Sequence, residues 1–169
     1  MIERHSQMSS PRSILEKMQP AVAPCGCGSQ IVLRAGAPVR GFHPVDFIGQ
    51  LPFRWIGPYP AAAIYVGPIA SDVTCFQLIL TRPPFAELES QLGVLLNNTA
   101  LGFQQVPPPD EILAVSPGAM SLQFELKGSP EPFPPVSCIE LRLRRTVPEP
   151  KRNGVPRLVG LAVHAVHFL

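Results

Sequence analysis

The residues best suited to chemistry in this sequence are Arg54 and Trp55, followed by Tyr59 in the turn Gly57-Pro58-Tyr59-Pro60. An indole face can stack on a sugar ring while a neighbouring guanidinium donates to its hydroxyls, so Arg54, Trp55 and Tyr59 form a candidate ligand-binding set. The same residues fit a purely structural role. Tryptophan is a strong core former, and a planar, always-charged arginine can span a sandwich edge and pair with Asp46. Arg157 carries the same choice. Together Asp46, Arg54 and Arg157 form a candidate buried or half-buried network that contributes to fold specificity rather than catalysis. Phe42 and Tyr65 would extend an aromatic platform, and Tyr59, held between prolines, is the ring expected to be exposed.

Other reactive residue types are present without the spacing that chemistry requires. His43, His164 and His167 are potential metal ligands, but residues 164 and 167 point to opposite faces of a regular strand. Neither has an acidic partner nearby in sequence, so no metal site is expected. Cys25 and Cys27 form C-x-C, whereas structural zinc uses two C-x(2–4)-C pairs. Cys75 and Cys138 fall in apolar runs and read as small buried hydrophobes. A serine nucleophile would need a G-x-S-x-G elbow or a positioned histidine and acid. Neither is visible, and Ser116-Pro117-Gly118 reads as a turn. No phosphate loop or dinucleotide fingerprint occurs. No catalytic residue and no cofactor is therefore expected.

The elements that would position these residues follow from composition. Apolar residues make up 46% of the 169 residues and charged residues 15%, enough apolar surface for one packed domain. The 22 prolines break helices and sheet interiors alike. They imply many short elements joined by rigid turns, with no long helix. The net charge of +2, without a basic face interleaved with aromatics, argues against nucleic-acid binding. No run of about 18 apolar residues occurs, so no membrane span is expected. The N-terminal stretch lacks the apolar segment of a secretory signal. The expected compartment is the cytoplasm, with reduced thiols.

Residues 1–28 read as a leader or linker, with one short helix over Ser13 to Met18. Residues 29–169 read as an antiparallel β-sandwich or jelly roll of about nine short strands. Met120, Leu122, Phe124 and Leu126 alternate with polar residues, as do Ile139, Leu141 and Leu143 with Glu140, Arg142 and Arg144. Period two of this kind gives one buried and one wet face. Further strands are expected at 31–35, 53–56, 61–66, 73–81, 92–96 and 99–106. Asn97-Asn98 suits a tight hairpin, because asparagine tolerates positive φ. Asp110-Glu111 is expected to begin a strand after three prolines. In the last strand, Leu161 and Val163 hold one phase and Val166 and Phe168 the other, which implies a β-bulge near His164-Ala165.

Two stretches carry a resemblance. One is Gly41-Phe42-His43-Pro44-Val45-Asp46, followed by Phe53-Arg54-Trp55-Ile56-Gly57. The other is Arg157-Leu158-Val159-Gly160-Leu161-Ala162-Val163. Read in order, they resemble the β-sandwich, carbohydrate-binding-like domains appended to bacterial glycosyltransferases and other cell-surface polysaccharide enzymes. Those open with "G-aromatic-x-x-E … RW-x-G" and close with "D-x-R-x-L-G-L-A-V". Asp46 stands where that pattern has glutamate, Thr99 where its hairpin has glycine, Val155 where it has aspartate and Val159 where it has leucine. The resemblance covers residues 30–169. It implies a non-catalytic accessory module of glycan or surface-polysaccharide biosynthesis, with a saccharide as ligand and a glycosyltransferase domain or subunit as partner. Two other classes stay open: a protein–protein assembly domain without a small ligand, and a small jelly-roll metal-dependent enzyme using His43, His164 or His167.

Overall fold

The structure, a computed structural model, describes residues 23–81, 87–126, 132–149 and 157–169. It is an all-β sandwich of antiparallel sheets. The expected short helix over 13–18 lies outside the described residues. The first sheet is built around the last strand. Its order is β3 (Asp46–Ile48), β4 (Leu51–Trp55), β14 (Ala162–Phe168), β6 (Cys75–Leu80), β10 (Met120–Glu125) and β9 (Gln104–Val106). A seventh strand, β1 (Gln30–Val32), also pairs with β14, beside Ala165 to His167, whereas β4 pairs with Ala162 and Val163. The second sheet runs β2 (Val39–Arg40), β5 (Ala61–Val66), β11 (Ser137–Leu143), β7 (Leu92–Leu96) and β8 (Thr99–Leu101). A two-stranded ribbon joins β12 (Val147–Pro148) to β13 (Leu158–Val159).

Period two explains how the sheets meet. In β5, Ala62, Ile64 and Val66 are buried; in β11, Ile139, Leu141 and Leu143; in β7, Leu92, Val94 and Leu96. These inward rows pack against Phe76, Leu78 and Leu80 of β6, Leu122 and Phe124 of β10, and Val163, Val166 and Phe168 of β14 in one cluster. Phe76 and Phe124 stack with centroids 4.7 Å apart. Each large apolar side chain taken fully out of water contributes roughly 1.5–3 kcal/mol before entropy is counted.

The expected bulge is present. The pairing of β14 with β6 shifts register between Val163 and Ala165. The Asn97-Asn98 turn is also present: both residues have positive φ, at 50° and 70°, between the paired Leu96 and Thr99. The strand expected over 99–106 is instead two strands in different sheets, β8 and β9, because Gly102 and Phe103 carry the chain across the sandwich. The strand expected at Asp110 is a helix, α2 (Asp110–Val115), after an earlier four-residue helix, α1 (Leu88–Gln91). Asp110 and Glu111 lie in the first turn of α2, where negative charge suits the helix dipole. Ile112 drops onto Ile79 and Ala165 on the outer face of the first sheet, and the Ser116 hydroxyl donates to the Thr81 carbonyl at 2.7 Å. Tertiary burial thus turns this segment helical.

Among the described residues no helix is long and apolar enough to cross a membrane.

Candidate functional site

Three passages between sheets meet at one edge of the sandwich: residues 41–46 from β2 to β3, residues 56–60 from β4 to β5, and residues 157–161 from β13 to β14. Backbone bonds hold them together. The N–H of His43 donates to the Trp55 carbonyl at 2.8 Å, Ile56 to Leu161 at 2.8 Å, Gly160 to Ile56 at 2.6 Å, and Gly57 to Gly41 at 3.0 Å. Close approach explains the glycines here. A Cβ at Gly41, whose φ is +77°, would overlap the Ala61 carbonyl, and one at Gly160 would overlap the Leu143 side chain.

Side chains complete the junction. Arg157 donates through Nη2 to Asp46 Oδ2 at 3.0 Å, and through Nε and Nη2 to the two carboxylate oxygens of Glu149. The hydrogen bonds that Arg157 donates to Glu149, foremost among the causes, raise the Arg157 pKa above its ordinary value. Glu149 and Arg157 face each other where the β12–β13 ladder continues, with the Glu149 N–H donating to the Arg157 carbonyl. Glu149 is the member that sequence reasoning missed. Its signal was the short β12, two residues long, which no alternation reveals.

Arg54 lies opposite Val163 in the ladder, so its side chain projects toward the inner side at the sandwich edge. Its guanidinium donates to the carbonyls of His43 (3.5 Å) and Arg34 (3.2 Å). Trp55 lies opposite Ala162 and is half-buried on the outer side, its ring edge-on to Phe53 at 5.8 Å. Arg54 Nε and Trp55 Nε1 are both sheltered from solvent without a partner among the described residues. Tyr59 is 75% exposed. Phe42 is half-buried and bridges to Ile56, and Tyr65 is half-buried on the second sheet, opposite Cys138. The fold thus brings Asp46 and Arg157 together and leaves Tyr59 open, while Arg54 is engaged with backbone.

The histidines divide. His43 donates from Nε2 to the Leu158 carbonyl at 2.8 Å. His164, in the bulge, donates from Nδ1 to the Pro52 carbonyl. A carbonyl only accepts, so each bond requires a proton on that ring nitrogen. Burial holds the His164 pKa below its ordinary value, and burial together with the nearby His164 does the same for His167 against the pull of Glu111. Among the described residues no three of His, Cys, Asp and Glu cluster as a metal ion requires. Cys25 is buried against Ile69 and Cys27 is exposed; Cys75 is buried and Cys138 half-buried. Burial raises the pKa of Cys25, Cys75 and Cys138, which disfavours thiolate chemistry there. A shallow open depression beside α1 is lined by Glu89, Ser90, Gln91, Arg142 and Arg144. Arg142 there is bound to Glu140 at 2.8 Å.

No known family, curated protein or solved structure matches this chain.

Proposed function

We propose that the chain is a non-catalytic β-sandwich accessory module of glycan or cell-surface polysaccharide biosynthesis, with weak saccharide binding as its biochemical activity. One observation carries the reading. The segments 41–46 and 53–57, which with 157–163 bear the resemblance to glycosyltransferase-appended domains, lie about a hundred residues before 157–163 in sequence yet interlock with it at one edge, through the Arg157–Asp46 pair and the Ile56–Leu161 backbone bond. Motif residues that assemble into one structural unit support common descent of that unit better than scattered matches would. In this reading Tyr59 supplies an exposed ring for stacking, and Trp55 and Arg54 are the further contact residues.

The test is titration of the ¹⁵N-labelled protein with neutral and acidic oligosaccharides, read by chemical-shift mapping. Saturable shifts in the millimolar range are expected. The absence of any saturable shift across the panel would overturn the saccharide activity.

A second reading is docking onto a glycosyltransferase domain or subunit. It draws on Phe47, Tyr59 and Leu158, which are 52%, 75% and 47% exposed and lie in or next to the three passages. Exposed apolar side chains at one edge favour a protein contact. Tight binding to such a partner that is lost in a Phe47→Ser, Leu158→Ser variant, with no saccharide response, would select this reading.

A further inference from the structure

The outer face of the first sheet carries a second polar surface, distinct from the edge that holds Tyr59. Register places Gln30 beside His167, His167 beside Gln77, Gln77 beside Gln123, and Gln123 beside Gln104. Laterally paired residues project to the same face. Five hydrogen-bonding side chains thus stand in one line across β1, β14, β6, β10 and β9. Strands lie about 4.8 Å apart, so the line is about 19 Å long. The adjacent row is Ala165, Ile79 and Ser121, and α2 covers part of it through Ile112. The helix is therefore a wall along one side of the line.

The side chains in the line are oriented. Ser121 Oγ donates to Gln77 Oε1 at 3.4 Å, Gln77 Nε2 to Gln123 Oε1 at 3.0 Å, and Gln123 Nε2 to Glu125 Oε1 at 3.1 Å. Each central amide keeps one N–H and one carbonyl lone pair in hand after these bonds. His167 Nε2 is sheltered from solvent and has no partner among the described residues.

We infer that the line Gln30–His167–Gln77–Gln123–Gln104 is a binding surface for a neutral, linear oligosaccharide. The inference takes its ligand class from the saccharide reading above and places the contact on a different face. A primary amide presents a donor and an acceptor side by side, which matches a pair of adjacent ring hydroxyls. The five side chains include no lysine or arginine, and Glu125 at the end of the relay repels anions, so acidic glycans and phosphates are poor ligands here. A flat row of amides without an aromatic platform predicts weak binding that accumulates with chain length. The spacing between strands lets successive sugars meet successive side chains.

Titration of the full chain with a series of neutral homo-oligosaccharides, from monosaccharide to hexasaccharide, tests this. The probes are side-chain amide and imidazole resonances. Saturable shifts of the Gln77 and Gln123 side-chain amides and of the His167 ring are expected, with affinity rising along the series. Gln123→Ala and Gln77→Ala should each weaken binding by about tenfold, the effect of one lost hydrogen bond, while Arg142→Ala on the second sheet leaves it unchanged. Unaltered spectral dispersion in the variants separates lost contacts from lost fold, and Gln104→Ala at the exposed edge strand gives a further variant that leaves the sheet interior intact. Shifts confined to residues 54–59 would make the line a solvated sheet face and overturn the inference while the saccharide reading stands. A response to acidic oligosaccharides alone would also overturn it. No saturable shift with any sugar would overturn both.

Discussion

At the scale of single residues, His164 shows most clearly what burial demands. It is 4% exposed, and burial lowers its pKa even though its Nδ1–H donates to the Pro52 carbonyl, which pulls the other way. In the unfolded chain it titrates near 6.5. The unfolded state therefore binds more protons than the native state as pH falls below that value, and stability falls with it. The same sign applies to His167. Stability should be flat with respect to these histidines above pH 6.5 and decline below it, each histidine adding at most about 1.4 kcal/mol per pH unit. Urea midpoints measured from pH 8 to pH 5 check this, and a flat profile contradicts it. Asparagine at 164 can place a donor where Nδ1 stands, whereas alanine strands the Pro52 carbonyl. His164→Ala should cost about 2–4 kcal/mol and His164→Asn less than half of that, both with a shallower acid decline. Arg157 behaves differently because it is partly wet, its side chain 31% exposed. A double-mutant cycle of Arg157→Met with Asp46→Ala should give a coupling of only about 0.5–1 kcal/mol. Arg157→Lys should lose most of it, since an ammonium cannot serve two carboxylates in a planar fork. A grouping of Asp46, Arg54 and Arg157 was readable from residue types, though not that Arg157 is the arginine bonded to Asp46. The Glu149 partner was not, because it required knowing that two-residue strands face each other.

At the scale of elements, legibility followed the length of the repeat. The alternation in β10 and β11 spans six and seven residues and fixes both strand and face without help. The alternation around Gly102 looked continuous over 99–106, yet each half pairs with a different sheet. No local pattern distinguishes a strand that continues from one that crosses a sandwich. The segment at Asp110 carried helix signals, proline before it and two acids in its first turn, which the preceding prolines obscured. Its helical state depends on Ile112 finding Ile79 and Ala165, information held far away in sequence. The interlocking passages give a prediction at this scale. Gly160→Ala places a methyl against Leu143 and Ile56, and Gly41→Ala places one against a backbone carbonyl at positive φ. Gly160→Ala should destabilise by about 1–3 kcal/mol through overpacking. Gly41→Ala should cost at least as much, because backbone yields less readily than a leucine methyl and the conformation is itself disfavoured. Gly102, with nothing within 4 Å of a built Cβ, is the control, and Gly102→Ala should change thermal stability little. Equal losses at all three positions would deny the junction its special packing.

At the scale of the whole molecule, β14 is the organising strand. It pairs with β1, β4 and β6, so the sheet interior is completed by the last strand in the chain. Its bulge divides the far side between β4 and β1, which is why two early strands share one neighbour. Val163, Val166 and Phe168 enter the core, and His167 enters the polar line on the outer face. That line could not be read from sequence, because its five residues come from five strands and only the register aligns them. The topology also sets how the protein folds. Closing the pairings of β14 with β1 and β4 means spanning loops of more than a hundred residues, so folding should be slow for the chain's size, in the millisecond-to-second range. Phe168 is fully buried and its ring lies 6.2 Å from that of Phe76. Phe168→Ala should destabilise by about 3–5 kcal/mol. Most of the first sheet is held through β14, so the loss should appear as global opening rather than fraying of one end. Hydrogen exchange can separate the two: amides of β6 and β10 should lose protection together with those of β14 in the variant. Retained protection in β6 and β10 with loss only in β14 would show that the last strand is an appendage to a sheet that stands without it.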